Sequence, residues 1–354
     1  QMSRHLLRHR LNRNLRLLRE MQNSLRVIVE NLPLQSRFHL ADAAHETLAS
    51  ATAPRKGVQL EDAARAAPRT VDDIGRKDDA LLVLTSGSTG APKAVLLTHE
   101  NLLSNAYGVA ERTGVTPEDR LIHVLPLYHT NGTNNLLIVP FACGASVVML
   151  ERFQADTFFD EIAAHRPTYV TGAPTHYSRL LAHAPRPGVL ACMRFARCGS
   201  APLTEELHRR TEAHLGLPLV VSYGLSEDTC TAVMNPPAAR KIGTVGPALA
   251  GQRVAVFAPG TERPLPAGTE GEICIAGPSV MKGYAPPREY ADGPCLRHGW
   301  LRTGDLGRLD DDGYLSVTGR LKDLIIRGGE NLSPGRIEEA IMRFPALRAW
   351  HAGH

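Results

Sequence analysis

The stretch Thr85-Ser-Gly-Ser-Thr-Gly-Ala-Pro-Lys93 separates two apolar runs, Leu81-Leu-Val-Leu84 and Ala94-Val-Leu-Leu97. Short apolar runs on either side of a glycine loop read as two strands joined by that loop, with a helix opening near Thr98 or His99. Gly87 and Gly90 let the backbone turn sharply and present N–H groups to phosphate oxygens. Hydroxyls from Thr85, Ser86, Ser88 and Thr89 add neutral donors, and Lys93 adds a positive charge. The physics is that of a nucleotide phosphate loop. It is not a Walker A motif, because no Gly-Lys-Ser/Thr triplet follows.

Further strands are expected at residues 121–125, 145–150, 169–171, 219–222, 254–257 and 272–276. Helical patterns fall between several of them, at 155–165, 175–183 and 204–214. Strands alternating with helices over 80–230 predict an α/β fold with a largely parallel sheet covered on both faces. Past residue 240 the strands crowd together between Gly/Pro turns, which predicts a small β-rich subdomain. The expected organisation is an atypical amino-terminal segment, 1–79 (a basic helix plus linker), then an α/β core, 80–240. The β-rich subdomain would follow at 241–319, and a new unit would begin in 320–354.

The chain has 354 residues, 43% of them hydrophobic and 21% charged, the profile of a soluble globular protein. Its net charge of +4 is modest. Arg4, Arg8, Arg10, Arg13, Arg16 and Arg19 concentrate at the amino end among leucines at helical spacing. That pattern suits a transit peptide, a membrane-surface helix or a solvated helix. It lacks the aromatic interleaving and the recognisable module of a nucleic-acid binder, so no nucleic-acid partner is expected. Six cysteines at 143, 192, 198, 230, 274 and 295 form no CxxC pair and no zinc-spaced cluster, which predicts reduced thiols. No run approaches the roughly 18 apolar residues of a membrane span, so no integral membrane segment is expected. The resulting expectation is a cytoplasmic protein.

Residues 85–102 (TSGSTGAPKAVLLTHENL) resemble the signature loop of the adenylate-forming superfamily, which includes acyl-CoA synthetases, luciferases and peptide-synthetase adenylation domains. Other segments resemble that family in the right order. They are Leu125-Pro-Leu-Tyr-His129, Cys198-Gly-Ser-Ala-Pro202 and Ser222-Tyr-Gly-Leu-Ser-Glu227, then residues 299–307 (GWLRTGDLG), 313–323 (GYLSVTGRLKD) and 328–339 (GGENLSPGRIEE). The resemblance covers roughly 80–345. It implies an acyl-CoA synthetase-like α/β domain with a small β-rich subdomain and the start of a mobile carboxy-terminal domain. It also implies ATP, Mg²⁺ and CoA as cofactors and a carboxylic acid as substrate. The reaction would form an acyl-adenylate with release of pyrophosphate, then a thioester.

By this resemblance Thr85, Ser86, Gly87, Ser88, Thr89, Gly90 and Lys93 would cradle the leaving phosphates. Glu227, with Thr89, would hold the metal. Gly199, Ser200, Ala201, Tyr223, Gly224 and Ser226 would line the adenine site, while Asp305 and Arg320 would hold the ribose. A carboxylate suits a pair of ribose hydroxyls because it offers two acceptor oxygens. Lys322 would mark the interdomain hinge, and His129 would border the acyl pocket, with Gly172-Ala-Pro-Thr175 as another wall. The polar run Thr130-Asn-Gly-Thr-Asn-Asn135 hints at a short or dicarboxylic acid.

The hinge sequence Gly-Arg-Leu-Lys-Asp resembles acyl-CoA synthetases more than peptide-synthetase domains. The Ser-Pro…Ile-Glu pattern at 333–338 is also compatible with ligases that load a phosphopantetheinyl carrier protein. Two departures stand out. Residues 1–79 do not resemble the family's amino-terminal section, and no lysine follows Lys322, whereas family members carry a catalytic lysine late in the carboxy-terminal domain. A cation missing at developing charge costs several kcal/mol of barrier, so this chain alone is expected to adenylate slowly, or to bind ATP or acyl-adenylate without turnover.

Overall fold

Seven-residue β1 (Asp79–Thr85) and six-residue β2 (Lys93–Thr98) pair antiparallel, with Thr85 opposite Lys93. The glycine loop therefore joins the closed end of a hairpin. The structure, a computed structural model, describes residues 75–85, 93–285, 295–323, 325–327 and 330–332. Loop residues Ser86, Gly87, Ser88, Thr89 and Gly90 lie outside the described residues, as do the amino-terminal arginines and residues 333–354. Arg76–Met149 and Phe153–His354 belong to one compact unit.

Helix His99–Thr113 starts where the sequence places it. Thr98 accepts a hydrogen bond from the Asn101 backbone N–H, while the Asn101 side chain accepts from Thr98 N–H. This reciprocal capping box satisfies two otherwise orphaned donors. The Asn101 amide also donates to the carbonyls of Pro278 and Val280, each at 2.8 Å. One side chain thus fixes both the helix start after β2 and a distant loop.

Four more strands follow: β3 (Arg120–His123), β4 (Ser146–Met149), β5 (Tyr169–Gly172) and β6 (Phe195–Cys198). After β7 (Leu219–Tyr223) comes the short β8 (Val233–Met234). These form a six-stranded sheet in the order β4-β3-β5-β6-β7-β8, parallel throughout except for β8. Crossovers include the helices Phe158–His165, Pro174–Leu180 and Glu205–Leu215. Parallel neighbours need such crossovers, and with both faces covered every residue of β5 and β6 is buried. Asn131–Ile138 forms a π-helical segment.

The antiparallel elements are β9 (Arg253–Phe257), β10 (Gly271–Ala276), β11 (Gly283–Tyr284), β12 (Cys295–Arg297), β13 (Trp300–Leu309) and β14 (Leu315–Arg320). Strands β12-β13-β10-β9 with β14 on β13 make a five-stranded sheet, while β11 joins β2 and β1 in a sheet of three. A further hairpin pairs β15 (Ile325–Arg327) with β16 (Glu330–Leu332). One core joins the hairpin sheet to the five-stranded sheet through Val83, Val95, Leu97, Val256, Ile273, Ile275, Leu301 and Leu315.

The sequence reading is accurate for the parallel layer and differs in one respect. The phosphate-loop strands stand apart from the parallel sheet, in their own antiparallel one. A seven-residue connection cannot cross over between parallel neighbours, so the short glycine loop itself dictates the hairpin.

Candidate active site

Tyr223 ends β7 and Asp305 faces Arg320 across the β13–β14 ladder. The Tyr223 hydroxyl donates to Asp305 Oδ2 at 2.7 Å, and Arg320 Nε donates to Oδ1 at 3.1 Å. The Asp305 backbone N–H is taken up by the Thr303 hydroxyl at 3.0 Å. Burial raises the Asp305 carboxyl above its ordinary range, against the pull of the Tyr223 hydrogen bond and the charges of Arg320 and Lys322. Lys322 lies exposed in the turn Leu321–Asp323, and its charge reaches Asp305. Burial, and then the neighbouring Asp305, push the Tyr223 phenol well up. Tyr223, Asp305 and Arg320 are therefore in contact, and Lys322 is in electrostatic range.

Glu227 stands in the tight turn Ser226–Asp228. Its Oε1 accepts from the Tyr284 hydroxyl at 2.8 Å, and Lys93 Nζ lies 5.9 Å from the centre of the Tyr284 ring. Lys93 and Glu227 are both buried, 3% and 5% exposed, so their charges act on each other through little water. Burial raises the Glu227 carboxyl. The Tyr284 hydrogen bond and Lys93 oppose that rise, and Asp305 adds to it. The two clusters, Lys93–Tyr284–Glu227 and Tyr223–Asp305–Arg320, thus share one electrostatic neighbourhood.

The backbone that delivers Glu227 is strained. Thr229 has φ 65° and ψ −52°, and Cys230 N–H donates to the Asp228 carbonyl at 2.6 Å across it. That is a γ-turn with a β-branched residue at its centre, a conformation that persists only when neighbours over-determine it. Thr229 Oγ1 to the Ser279 carbonyl (2.6 Å), Ser279 Oγ to Asp228 Oδ1 (2.6 Å) and Met281 N–H to the Glu227 carbonyl (2.8 Å) do so. Gly224, which precedes the turn, has no room for a side chain: an added Cβ would stand 2.2 Å from the Cys230 carbonyl oxygen. Gly224→Ala is expected to destabilise the fold by about 2–3 kcal/mol through backbone displacement, read from the urea midpoint. An unchanged midpoint would contradict this packing.

Gly199-Ser200-Ala201 follow β6, and Gly199 N–H donates to the Gly172 carbonyl at 3.2 Å. Ser200 adopts a positive φ of 71° and its hydroxyl accepts from Asn131 Nδ2 at 2.8 Å. This ties the Gly-Ser-Ala turn to the polar 130–135 run. His129 is exposed and packs at 4.7 Å, tilted by 47°, against the ring of Tyr128, itself 68% exposed. No hydrogen bond among the described residues joins the His129 side chain to either cluster. Thr85 Oγ1 meets the Lys93 carbonyl at 3.4 Å and Ser226 is half-buried in the Glu227 turn.

Sequence reasoning missed Tyr284 and Arg197, and took Asn131 only as part of the polar run 130–135. Tyr284 reaches Glu227 only because β11 pairs with β2 at Val95, a register with no local signal. Arg197 did carry a signal: a lone arginine inside the apolar run Phe195-Ala-Arg-Cys198.

The family model described as AMP-binding enzyme matches residues 16–285. This chain belongs to the AMP-binding enzyme family. It is 42% identical over 271 residues to a sulfoacetate–CoA ligase of Cupriavidus necator, covering 76% of this chain and 52% of that protein. Among solved structures, ATP-bound MatB from Rhodopseudomonas palustris superposes with a TM-score of 0.74 at 38% identity, over 81% of this chain and 57% of that one. O-succinylbenzoate coenzyme A synthetase (MenE) from Bacillus subtilis, in complex with ATP and magnesium, gives 0.71 at 31% identity, over 82% and 60%. The chain thus spans about half the length of the curated relative. Among the described residues no helix is long and apolar enough to cross a membrane, and Cys143, Cys192, Cys198, Cys230 and Cys274 are free thiols.

Proposed function

We propose that this chain binds ATP with Mg²⁺ and activates a carboxylic acid to an acyl-adenylate, as part of an AMP-forming acid–CoA ligase. The observation that carries this reading is the shared neighbourhood of Glu227, Lys93 and the Tyr223–Asp305–Arg320 cluster. In the proposed step a carboxylate oxygen attacks the α-phosphorus, the α–β phosphoanhydride bond breaks and pyrophosphate leaves. Lys93, buried and close to the loop, holds the departing negative charge, a fixed cation that needs no reorganisation as charge develops. Asp305 accepts the ribose hydroxyls, with Arg320 and the Tyr223 hydroxyl fixing its two oxygens. Gly199-Ser200-Ala201, Gly224 and Ser226 leave the base room beside Tyr223, and His129 borders the acid. Lys322 serves as the hinge position, and residues 85–90 grip the phosphates.

The donor set fits a nucleotide-bound magnesium ion. Among the described residues no group of three or more His, Cys, Asp or Glu side chains forms a metal cage. Mg²⁺ on a nucleotide needs few protein ligands, and the single hard carboxylate of Glu227, with Thr89, suits that demand. When bound, the ion neutralises phosphate charge and steadies the leaving group.

For the second half-reaction we propose CoA as the thiol acceptor, a reading supported by the similarity to a sulfoacetate–CoA ligase and to O-succinylbenzoate coenzyme A synthetase, whose names carry that acceptor. Those names carry acids as different as sulfoacetate and O-succinylbenzoate, so the acid must come from this chain's own pocket. Isotope exchange between ATP and pyrophosphate over a panel of carboxylic acids tests the activation step. Exchange above background with at least one acid is expected. Background exchange with every acid, despite ATP binding, would favour a binding module. Trapping the product with CoA against a phosphopantetheinylated carrier protein then tests the acceptor.

A further inference from the structure

Arg197 lies on β6, the central part of the parallel sheet, and is 3% exposed. Arginine does not deprotonate in proteins, so this charge persists in the interior. All the partners that the guanidinium finds among the described residues are neutral. Nη2 donates to Ser222 Oγ and to Thr231 Oγ1, both at 2.9 Å, and Nη1 makes a long 3.5 Å contact with Asn131 Oδ1. Nε has no partner among them. Burial pulls the guanidinium pKa below its ordinary value, and only neutral thiols and phenols oppose that pull. An enclosed cation without a counter-ion is costly, and hydrogen bonds to hydroxyls do not fully offset that cost. Arg302 shows the ordinary solution in the same molecule: buried on β13, it is paired with Glu272.

The surroundings of Arg197 join the 130–135 run, proposed to face the acid, to the Gly-Ser-Ala turn, proposed to face the base. Gly199 follows β6 two residues after Arg197. A Cβ added to Gly199 would stand 3.2 Å from Ser222 Oγ and 3.6 Å from Asn131 Nδ2, the same two residues that Arg197 touches. Asn131 links onward to Ser200 and, through Asn135 Nδ2 at 2.9 Å, to an amide whose own Oδ1 is buried without a partner. Asn131 therefore touches the cation, the residue with the unmatched amide oxygen and, through Ser200, the Gly-Ser-Ala turn.

We propose that Arg197 supplies the counter-charge for a second anionic group on the substrate, so that this site takes a short carboxylic acid whose far end is itself a carboxylate or sulfonate. The proposal rests on the acid-activation reading above. One carboxylate is adenylated, and the other anion takes the unpartnered Nε–H donor of Arg197, a charge-assisted hydrogen bond that rewards an anion over a neutral group. A neutral-tailed acid of equal length would leave the guanidinium without a counter-charge.

The test measures the KM of each acid in ATP–pyrophosphate exchange. Malonate, succinate and 3-sulfopropionate are compared with propionate and butyrate, and the carboxylate and sulfonate arms separate the two anion shapes. In the unmodified chain at least one dianion is expected to show a KM roughly 30-fold or more below its length-matched monoanion, the worth of a charge-assisted contact. Arg197→Met should bring that ratio near one, and Arg197→Lys should retain part of it. A merely structural arginine would raise every KM alike and leave the ratio unmoved, which overturns the proposal. So does a ratio near one in the unmodified chain, a result that needs no variant to fold. Exchange that runs best with monoanions sinks this inference alone, whereas failure to bind ATP sinks the activation reading beneath it.

Discussion

Glu227→Ala is expected to lower acid-dependent pyrophosphate exchange by at least ~100-fold, the usual cost of removing a group that organises charge around a reacting phosphate. The argument is local. Glu227 brings the buried negative charge that faces Lys93, and its carboxylate is the hard oxygen donor placed for a nucleotide-bound cation. Removing it leaves the Tyr284 hydroxyl without its 2.8 Å acceptor and takes away a negative charge that Lys93 feels. Glu227→Gln separates charge from shape. An amide oxygen still accepts from Tyr284, so stability should stay close to that of the parent chain, while exchange falls nearly as far as in the alanine variant. Raising Mg²⁺ should recover part of the glutamine variant's activity if the carboxylate binds the cation. If Glu227→Gln exchanges at the parent rate, the metal role assigned to Glu227 is wrong.

How much of this site was legible beforehand follows from where each contact is encoded. Glycines and hydroxyls in 85–93, flanked by apolar runs, revealed a strand–loop–strand because all the information is local, and β1 and β2 appear there. Tyr223, Glu227, Asp305 and Arg320 were found through motifs. Asp305 and Arg320 meet because β13 and β14 are a hairpin with a fixed register, so their proximity was also partly local. The Tyr284–Glu227 bond depends on a two-residue strand pairing with β2, and no pattern of period two is readable over two residues. The strain at Thr229 was equally hidden. A threonine is an ordinary residue in sequence, and only Ser279, fifty positions away, makes its positive φ tolerable.

The parallel sheet and the site depend on one another through residues that a sequence reader counts as core. Arg197 and Ser222 occupy neighbouring strands, and Asn131 and Asn135 occupy the π-helical segment after β3. Their amides and hydroxyls bond to one another, as a buried polar network must if it is to be tolerated. The run at 130–135 is polar throughout, yet Asn131, Asn134 and Asn135 are all buried. They are polar because they face Arg197, Cys230, Thr231 and Asn105 rather than water. Solvent exposure and polarity part company at this place, which is where a functional pocket is expected to violate the ordinary pattern.

His123 gives that network a measurable acid limit. It ends β3, is 2% exposed, and its Nε2 lies 3.1 Å from the Gly132 carbonyl. A carbonyl only accepts, so Nε2 carries the proton of a neutral ring. Burial lowers the pKa to about 4 from 6.5, against two backbone hydrogen bonds that act the other way. The unfolded chain regains the ordinary value. Between pH 6.5 and 4 the unfolded state therefore binds a proton that the folded state refuses, and stability falls as the pH falls through that window. A span of about 2.5 pH units (6.5 less 4) at 1.36 kcal/mol each puts the loss at about 3 kcal/mol by pH 4. His123→Gln keeps a donor for Gly132 but does not titrate. Its stability deficit relative to the parent chain, measured by urea unfolding at pH 7 and again at pH 4.5, should shrink or reverse by about 2 kcal/mol, since every other group cancels in the difference. A deficit that is constant across pH would mean that His123 is protonated as readily in the fold as outside it. If the deficit does shrink, acid charges a ring buried against the Asn131–Ile138 segment, the segment that also carries Asn131 and Asn135 beside Arg197.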